Sequence, residues 1–396
     1  MANKYAINTG ALTWSGSSWN TASNQATSNT TAPTNADVAY LDQYSSNMTV
    51  NATTCVCKEL RCSGYTKTLT FTSGQTLTVG GSGAGVIDFP SGAGGTVAGT
   101  GTLSLLTGTQ AITSNGIVMT GSFIFNTNSS VTFTGDFQVN GALTYNGTNN
   151  FTGKLIFNGT SWTVGNKAQL NGGTVEFKST FTLPTSCNLF STTFNSGANT
   201  LTVPSSISFA KTVTYTSGTM DMTTNSSVAS FATGSTIATN GITWYGATLN
   251  GTTTLTQNFN CTNLILGGNG LTESGAYTIT CAQLRIGSSA SLNQSASSTY
   301  TLAAGSAIVI NTYLYLHGNA PFVLNFLSGT ASSPAYFVYN GTRANCQVNF
   351  CTFTDISNVN GNRINALYST VLRSPNIVQM RNSDLLGAGA LISNFN

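Results

Sequence analysis

Apolar and polar residues alternate along most of this chain. In "GYTKTLTFTSGQTLTV", Gly64 to Val79, the residues Leu69, Phe71, Leu77 and Val79 hold alternate positions, with threonine at nearly every position between them. Successive side chains of an extended strand point to opposite faces, so these four share one side of two half-buried strands, "TLTF" and "TLTV", joined by "TSGQ". Threonine is β-branched, favours extended backbone and gives the other face an uncharged hydroxyl. Between residues 123 and 183 the pattern recurs as apolar triplets: "FIF" at 123, "VTF" at 131, "FQV" at 137, "LTY" at 143, "LIF" at 155, "WTV" at 162, "VEF" at 175 and "FTL" at 181. Gly and Asn fill the gaps. Asn-Gly stands at 115, 140, 146, 158, 171, 240, 250, 269, 340 and 360, and both residues tolerate the positive φ of sharp corners. Strands of about three to five residues turned this way suit a ladder of hairpins or the coils of a β-solenoid.

A repeat favours the solenoid. "CTNLILGG" at 261 and "CAQLRIGS" at 281 match as Cys-x-x-Leu-x-aliphatic-Gly, twenty residues apart, and a third copy, "CKELRCSG", begins at Cys57. One such period fits one turn of a three-faced solenoid, with Cys261 beneath Cys281, Leu264 beneath Leu284 and Leu266 beneath Ile286. The expected fold is all-β: a parallel β-solenoid of about 20 residues per coil, capped at both ends. A tandem β-sandwich is the alternative. Residues 1–50, with Trp14 and Trp19 in "WSGSSW", read as an N-terminal cap or attachment segment, because a terminal coil otherwise exposes an unpaired edge. Residues 51–320 form the body. In 321–396, from Pro321, threonine thins out and Arg343, Arg363, Arg373 and Arg381 appear, four of the six arginines. This segment reads as closing coils that cap the stack or contact another subunit.

Composition narrows the partners. Only 6% of the 396 residues are Asp, Glu, Lys or Arg, against about 25% in an ordinary globular protein. The surface therefore consists of Thr, Ser, Asn and Gly. A content of 40% hydrophobic and 10% aromatic residues, regularly spaced, marks a folded chain. The net charge of +3 comes without any basic run, which argues against nucleic acid and anionic membrane as partners. The opening "MANKYAINTGALTWSG" lacks an apolar core of signal-peptide length, and no eighteen apolar residues run together; synthesis in a cytoplasm is expected, without a membrane span.

Candidate chemistry is sparse. The eight cysteines include no CxxC pair and the chain has one histidine, His317, so no metal or cofactor is expected. Cys57, Cys261 and Cys281 read as stacked, buried small hydrophobes, with metal ligation or a disulfide as the other readings of the last two. Among ten acids the best pair for glycoside cleavage is Asp136 and Glu176, forty residues and hence two coils apart, about 10 Å if they share a face. Isolated solvated acids are the favoured reading. His317, in "LYLHGNAP", reads as an outward or turn histidine rather than a catalytic base. The stretches "GGSGAGVID" at 80 and "GGNGLTESG" at 267 read as corners rather than phosphate or calcium loops. Trp162, Trp244 and Tyr245 read as strand packing rather than sugar-stacking platforms.

Two stretches resemble a family. "LTWSGSSWNTASNQ" followed by "APTNADVAYLDQYSSNMTVNATTCVCKELRCSGYTKTLTF" resembles the start of Thr/Gly-rich β-helical proteins encoded by tailed bacteriophages, and "LSGTASSPAYFVYNGTRANCQVNFCTFTDISNVNGN" is similar to their closing coils. The matching positions are Trp14, Trp19, Pro33, Asp37, Val38, Thr49, Val50 and Asn51. About the first and last 80 residues carry the likeness; the middle shares composition only. The resemblance implies a non-enzymatic virion structural protein, a tail fibre or spike, and brings no catalytic residue. The alternatives are a head decoration protein, a polysaccharide depolymerase tailspike and a bacterial surface adhesin. Expected partners are other virion proteins, further copies of the chain, with a trimer foremost, and a host surface glycan or receptor.

Overall fold

A computed structural model of the chain describes residues 1–81, 85–91, 94–106, 110–151, 153–171, 173–185, 187–267, 271–273, 275–286, 297–318, 323–358 and 361–380. The chain divides into two compact units, Met1–Pro204 with Ser217–Asp221, and Ser205–Thr216 with Met222–Asn396. Each is a β-solenoid whose coils hydrogen-bond to their neighbours as parallel strands.

In the first unit "TLTF" and "TLTV" are Thr68–Phe71 and Thr76–Val79, both alternating half-buried and buried. They do not pair with each other. Thr68–Phe71 pairs with Thr96–Gly99, and Thr76–Val79 pairs with Thr102–Leu105. The "TSGQ" between them turns a corner, with Gly74 at φ 73° and Gln75 N donating to Thr72 O at 3.0 Å. Inward positions consequently stack in columns. Cys57, Val79, Leu105, Phe125 and Tyr145 are each paired with the next and buried, as are Ala39, Leu60, Ile87, Ile112 and Phe133 on a second face. A third face carries Val139, Phe157, Phe177 and Phe194. Phe123 meets Phe125 and Phe137 at ring-centroid distances of 4.5 and 5.0 Å. Such pairs contribute about 0.5–1.5 kcal/mol each beyond area burial, which favours aromatic residues inside a narrow core.

The second unit contains the repeat. Cys261 lies beside Cys281 and Leu264 beside Leu284, which in turn lies beside Leu314. Along Phe259–Gly267 the buried residues are Phe259, Cys261, Leu264 and Leu266, with Thr262 and Asn263 both turned outward. The extra outward residue shifts the alternation by one position and bends the strand from one face to the next. Cys-x-x-Leu is thus a corner: the last inward residue of one face, two outward residues, then the first inward residue of the following face. Cys57, Leu60 and Cys62 repeat that phase in the first unit. Aromatic columns recur too, with Tyr300, Phe326 and Phe353 stacked at 5.1 and 5.4 Å.

Parallel pairing excludes the tandem β-sandwich. Among the described strand pairings, the antiparallel exception joins Asn3–Ala6 to Trp19–Asn20. The other edge of Asn3–Ala6 pairs in parallel with Val38–Tyr40.

Two expectations need correction. The offset between stacked partners is 20 residues for Cys261 and Cys281, but 17 for Trp244 and Cys261, 29 for Cys281 and Ile310, and 32 for Leu314 and Cys346. Extra residues enter at corners, where they leave the inward columns in register. The Asn-Gly corners also divide into two kinds. Gly116 and Gly241 do adopt positive φ, at 73° and 103°. Gly141 and Gly159 do not; a Cβ on either would run into backbone of the preceding coil, the Gly121 and Gly141 carbonyls respectively. Here glycine is required by close approach.

Leu284→Ala should lower the unfolding free energy by about 2–5 kcal/mol, because the methyl groups it removes sit between two stacked leucines, whereas the outward Thr280→Ala should stay within about 0.5 kcal/mol. Denaturant titration measures both, and equal effects would contradict the inward column. Gly141→Ala should cost about 1–3 kcal/mol by forcing two coils apart; an unchanged unfolding midpoint would show that the corner has room.

Candidate functional site

The candidates at the start of the chain are structural. Trp14 and Trp19 are buried and meet edge to face, 5.0 Å between centroids and 71° between planes. Burying an indole N–H requires an acceptor, and Trp19 Nε1 donates to Trp14 O at 2.8 Å while Trp14 Nε1 reaches Val56 O at 3.4 Å. Neighbouring motif residues serve the same end. The Asp37 carboxylate accepts from Ala2 N, Thr34 N and the Thr34 hydroxyl, and Asn51 Oδ1 accepts from Ser15 N.

Cys55, Cys57, Cys62, Cys261, Cys281 and Cys351 are buried free thiols, and Cys346 is half-buried. Burial pushes each thiol up, Cys281 to about 12 and Cys346 to about 11, so they remain protonated and pack as apolar groups. The Cys187 side chain lies outside the described residues. Trp162 and Trp244 are core residues, 4% and 0% exposed, which removes them as sugar platforms.

Asp136 and Glu176 do not face each other across a groove. Lys154 stands between them: its backbone N donates to Asp136 Oδ1 at 3.0 Å and its Nζ to Glu176 Oε2 at 2.9 Å. Lys178 Nζ and Asn195 Nδ2 reach the other oxygen of Glu176 at 3.5 and 2.7 Å. Burial works to raise the Glu176 pKa, but the Lys154 and Asn195 hydrogen bonds and both ammonium charges outweigh it, and the carboxyl is held below its usual range. A glycosidase acid needs the reverse shift.

The arginine-bearing segment separates into parts. Arg373 grips Asp355 with two parallel bonds, Nε to Oδ1 at 2.7 Å and Nη2 to Oδ2 at 2.8 Å, holding that carboxyl low. Arg343 and Arg363 instead line one cleft of about 570 Å³ with Asn362, Asn365 and Gln379. Arg381 lies outside the described residues, as do Pro321 and parts of both glycine stretches. A second cleft, of about 330 Å³, is lined by Gln283, Arg285, Tyr313, Tyr315, Asn345 and Gln347. His317 is half-buried beside it, its ring parallel to Tyr315 at 4.5 Å and its Nε2 3.1 Å from Asn349 Nδ2. Accepting that amide hydrogen requires an unprotonated Nε2, and burial lowers the histidine pKa. The tyrosines were legible in "INTYLYLHG": inward Leu314 and Leu316 force Tyr313, Tyr315 and His317 outward.

Comparison with known proteins finds no matching family model, no similar curated protein and no similar solved structure.

One buried acid remains. Glu273 Oε2 accepts from Ala303 N at 2.9 Å, while Oε1 has no hydrogen-bond partner among the described residues. Burial raises this carboxyl from 4.5 to about 7. Between those values the folded chain holds a proton that the unfolded chain has lost, so the contribution to stability falls as pH rises from 4.5 to about 7. His317, shifted down, works in the opposite direction below its ordinary 6.5. The comparison must therefore be made at equal pH: Glu273→Gln should gain melting temperature over the natural chain between pH 5 and pH 7.5. A constant difference across that range would remove Glu273 as the titrating group.

Proposed function

We propose that this chain is a non-enzymatic structural protein of a tailed bacteriophage particle, a tail fibre or spike component that assembles with further copies of itself, as a trimer in the first instance. The reading rests on the resemblance of the two terminal stretches, and one observation carries it further. The residues of the opening motif, Trp14, Trp19, Asp37, Val38, Val50 and Asn51, are tied together by burial and hydrogen bonds where the coils begin. A motif that starts a solenoid is what a shared fibre-building unit would retain, whatever each fibre touches.

The chemistry of the body agrees with a passive role. Its thiols are protonated and inward, its best carboxyl pair is bridged by lysine, and its exterior is a field of hydroxyls and amides. Such a coil stack offers rigidity without cofactor, metal or energy source. The loops at its corners are the parts free to contact a host surface.

Mass spectrometry of purified particles should find the chain at constant stoichiometry to the other virion proteins. Its confinement to infected-cell lysate would overturn the assignment. Incubation with host capsular polysaccharide should release no new reducing ends; release lost on Glu176→Ala would make the depolymerase the better reading.

A further inference from the structure

In the second unit one corner grows from coil to coil. Two residues, Ala282 and Gln283, separate the inward Cys281 and Leu284. In the next coil three residues separate their partners Ile310 and Leu314, and in the one after that six residues, 340–345, separate Tyr339 from Cys346. The enlarged corner is held firmly. Tyr339 Oη donates to Thr342 O at 2.6 Å, Asn340 Nδ2 to Asn311 Oδ1 at 2.9 Å, and Asn362 Nδ2 to Gly341 O at 2.7 Å. Its outermost part, the short helical turn Arg343–Asn345, separates the two clefts, with Arg343 on one side and Asn345 on the other.

The two clefts offer complementary chemistry. On one side Tyr313 is 45% exposed, an outward aromatic in a fold that buries most of its rings. Beside it Tyr315 carries the Arg285 guanidinium 5.7 Å from its centroid, and Gln283, Asn345 and Gln347 supply amides. On the other side Arg343 and Arg363 converge, both exposed, and among the described residues neither has a carboxylate within ion-pairing distance. Cavities of about 300–1,000 Å³ suit small ligands. A sugar ring presents an apolar C–H face, hydroxyls that pair with amides and, in an acidic sugar, a carboxylate that pairs with a guanidinium fork.

We propose that this corner is a binding site for an acidic oligosaccharide, one sugar ring on Tyr313 among the amides and a carboxylate at Arg343 and Arg363. Two arginines in one recess suit a localised anion better than the line of cations that tracks a nucleic-acid backbone. The assignment does not depend on particle membership, which mass spectrometry tests separately.

Calorimetric titration of the full chain with an oligogalacturonate, with its neutral methyl ester and with a single-stranded oligonucleotide tests it. The acid should bind, and the ester about tenfold or more weakly, from the loss of charge-assisted bonds. Arg343→Ala with Arg363→Ala should erase that difference, while Tyr313→Ala should weaken acid and ester alike. All three residues are exposed, so the variants should keep the natural melting temperature, and Arg363→Lys retains the charge should the double change unfold. Absence of oligogalacturonate binding, equal affinity for acid and ester, indifference to the arginine changes, or tighter binding of the oligonucleotide would overturn the proposal.

Discussion

Parallel strands hydrogen-bond only at about 4.8 Å, so each residue of one coil lies against its counterpart in the next. For apolar residues this repetition is favourable, and leucine on leucine or phenylalanine on phenylalanine fills a column without voids. For charges it is not. Two like charges at that spacing repel by about 1 kcal/mol in water and by more where half-buried. A chain that stacks like positions therefore does best with an exterior of threonine, serine and asparagine, whose neighbours can be themselves. Where charges do occur, they alternate in sign between coils: Arg61 lies beside Asp88, Lys154 links Asp136 to Glu176, and Arg373 pairs with Asp355. The 6% charge content and the placement of these pairs have one cause.

The same spacing decides which glycines are replaceable. Where a corner folds tightly against the coil below, no room remains for a Cβ, and Gly101, Gly121, Gly141 and Gly159 follow one another at intervals of 20, 20 and 18 residues. Their spacing reports the period as faithfully as the apolar triplets do. Read as φ requirements alone, these glycines mark turns; read as contacts, they also mark which turn lies over which.

Legibility in the sequence follows from whether a feature is local or depends on stacking. Alternation placed Leu69, Phe71, Leu77 and Val79 inward, and the cysteine repeat placed Cys261 against Cys281, because both are set within one coil or by one unchanged period. The convergence of Gln283, Tyr313 and Asn345 was not legible. They belong to successive coils whose offsets have grown to 30 residues and more, so a reader counting in twenties places them apart. Likewise Lys154 cancels the Asp136 and Glu176 pair through a neighbouring coil, a relation that appears only once the register is known.

Inward columns leave little freedom for variation, since one residue gained or lost within a strand turns its apolar side to water. Corners carry no such penalty. Loop closure grows only slowly in cost with length, about 0.6 kcal/mol per doubling, so a corner can lengthen while the columns on either side keep register. The step from two residues to three and then six beside Leu284, Leu314 and Cys346 uses that freedom, and it does so where outward tyrosines and unpaired arginines gather. A stack of nearly identical coils becomes specific only where it stops being regular. On this fold, recognition is to be sought where the period lengthens, and the regular coils serve to hold that place rigid.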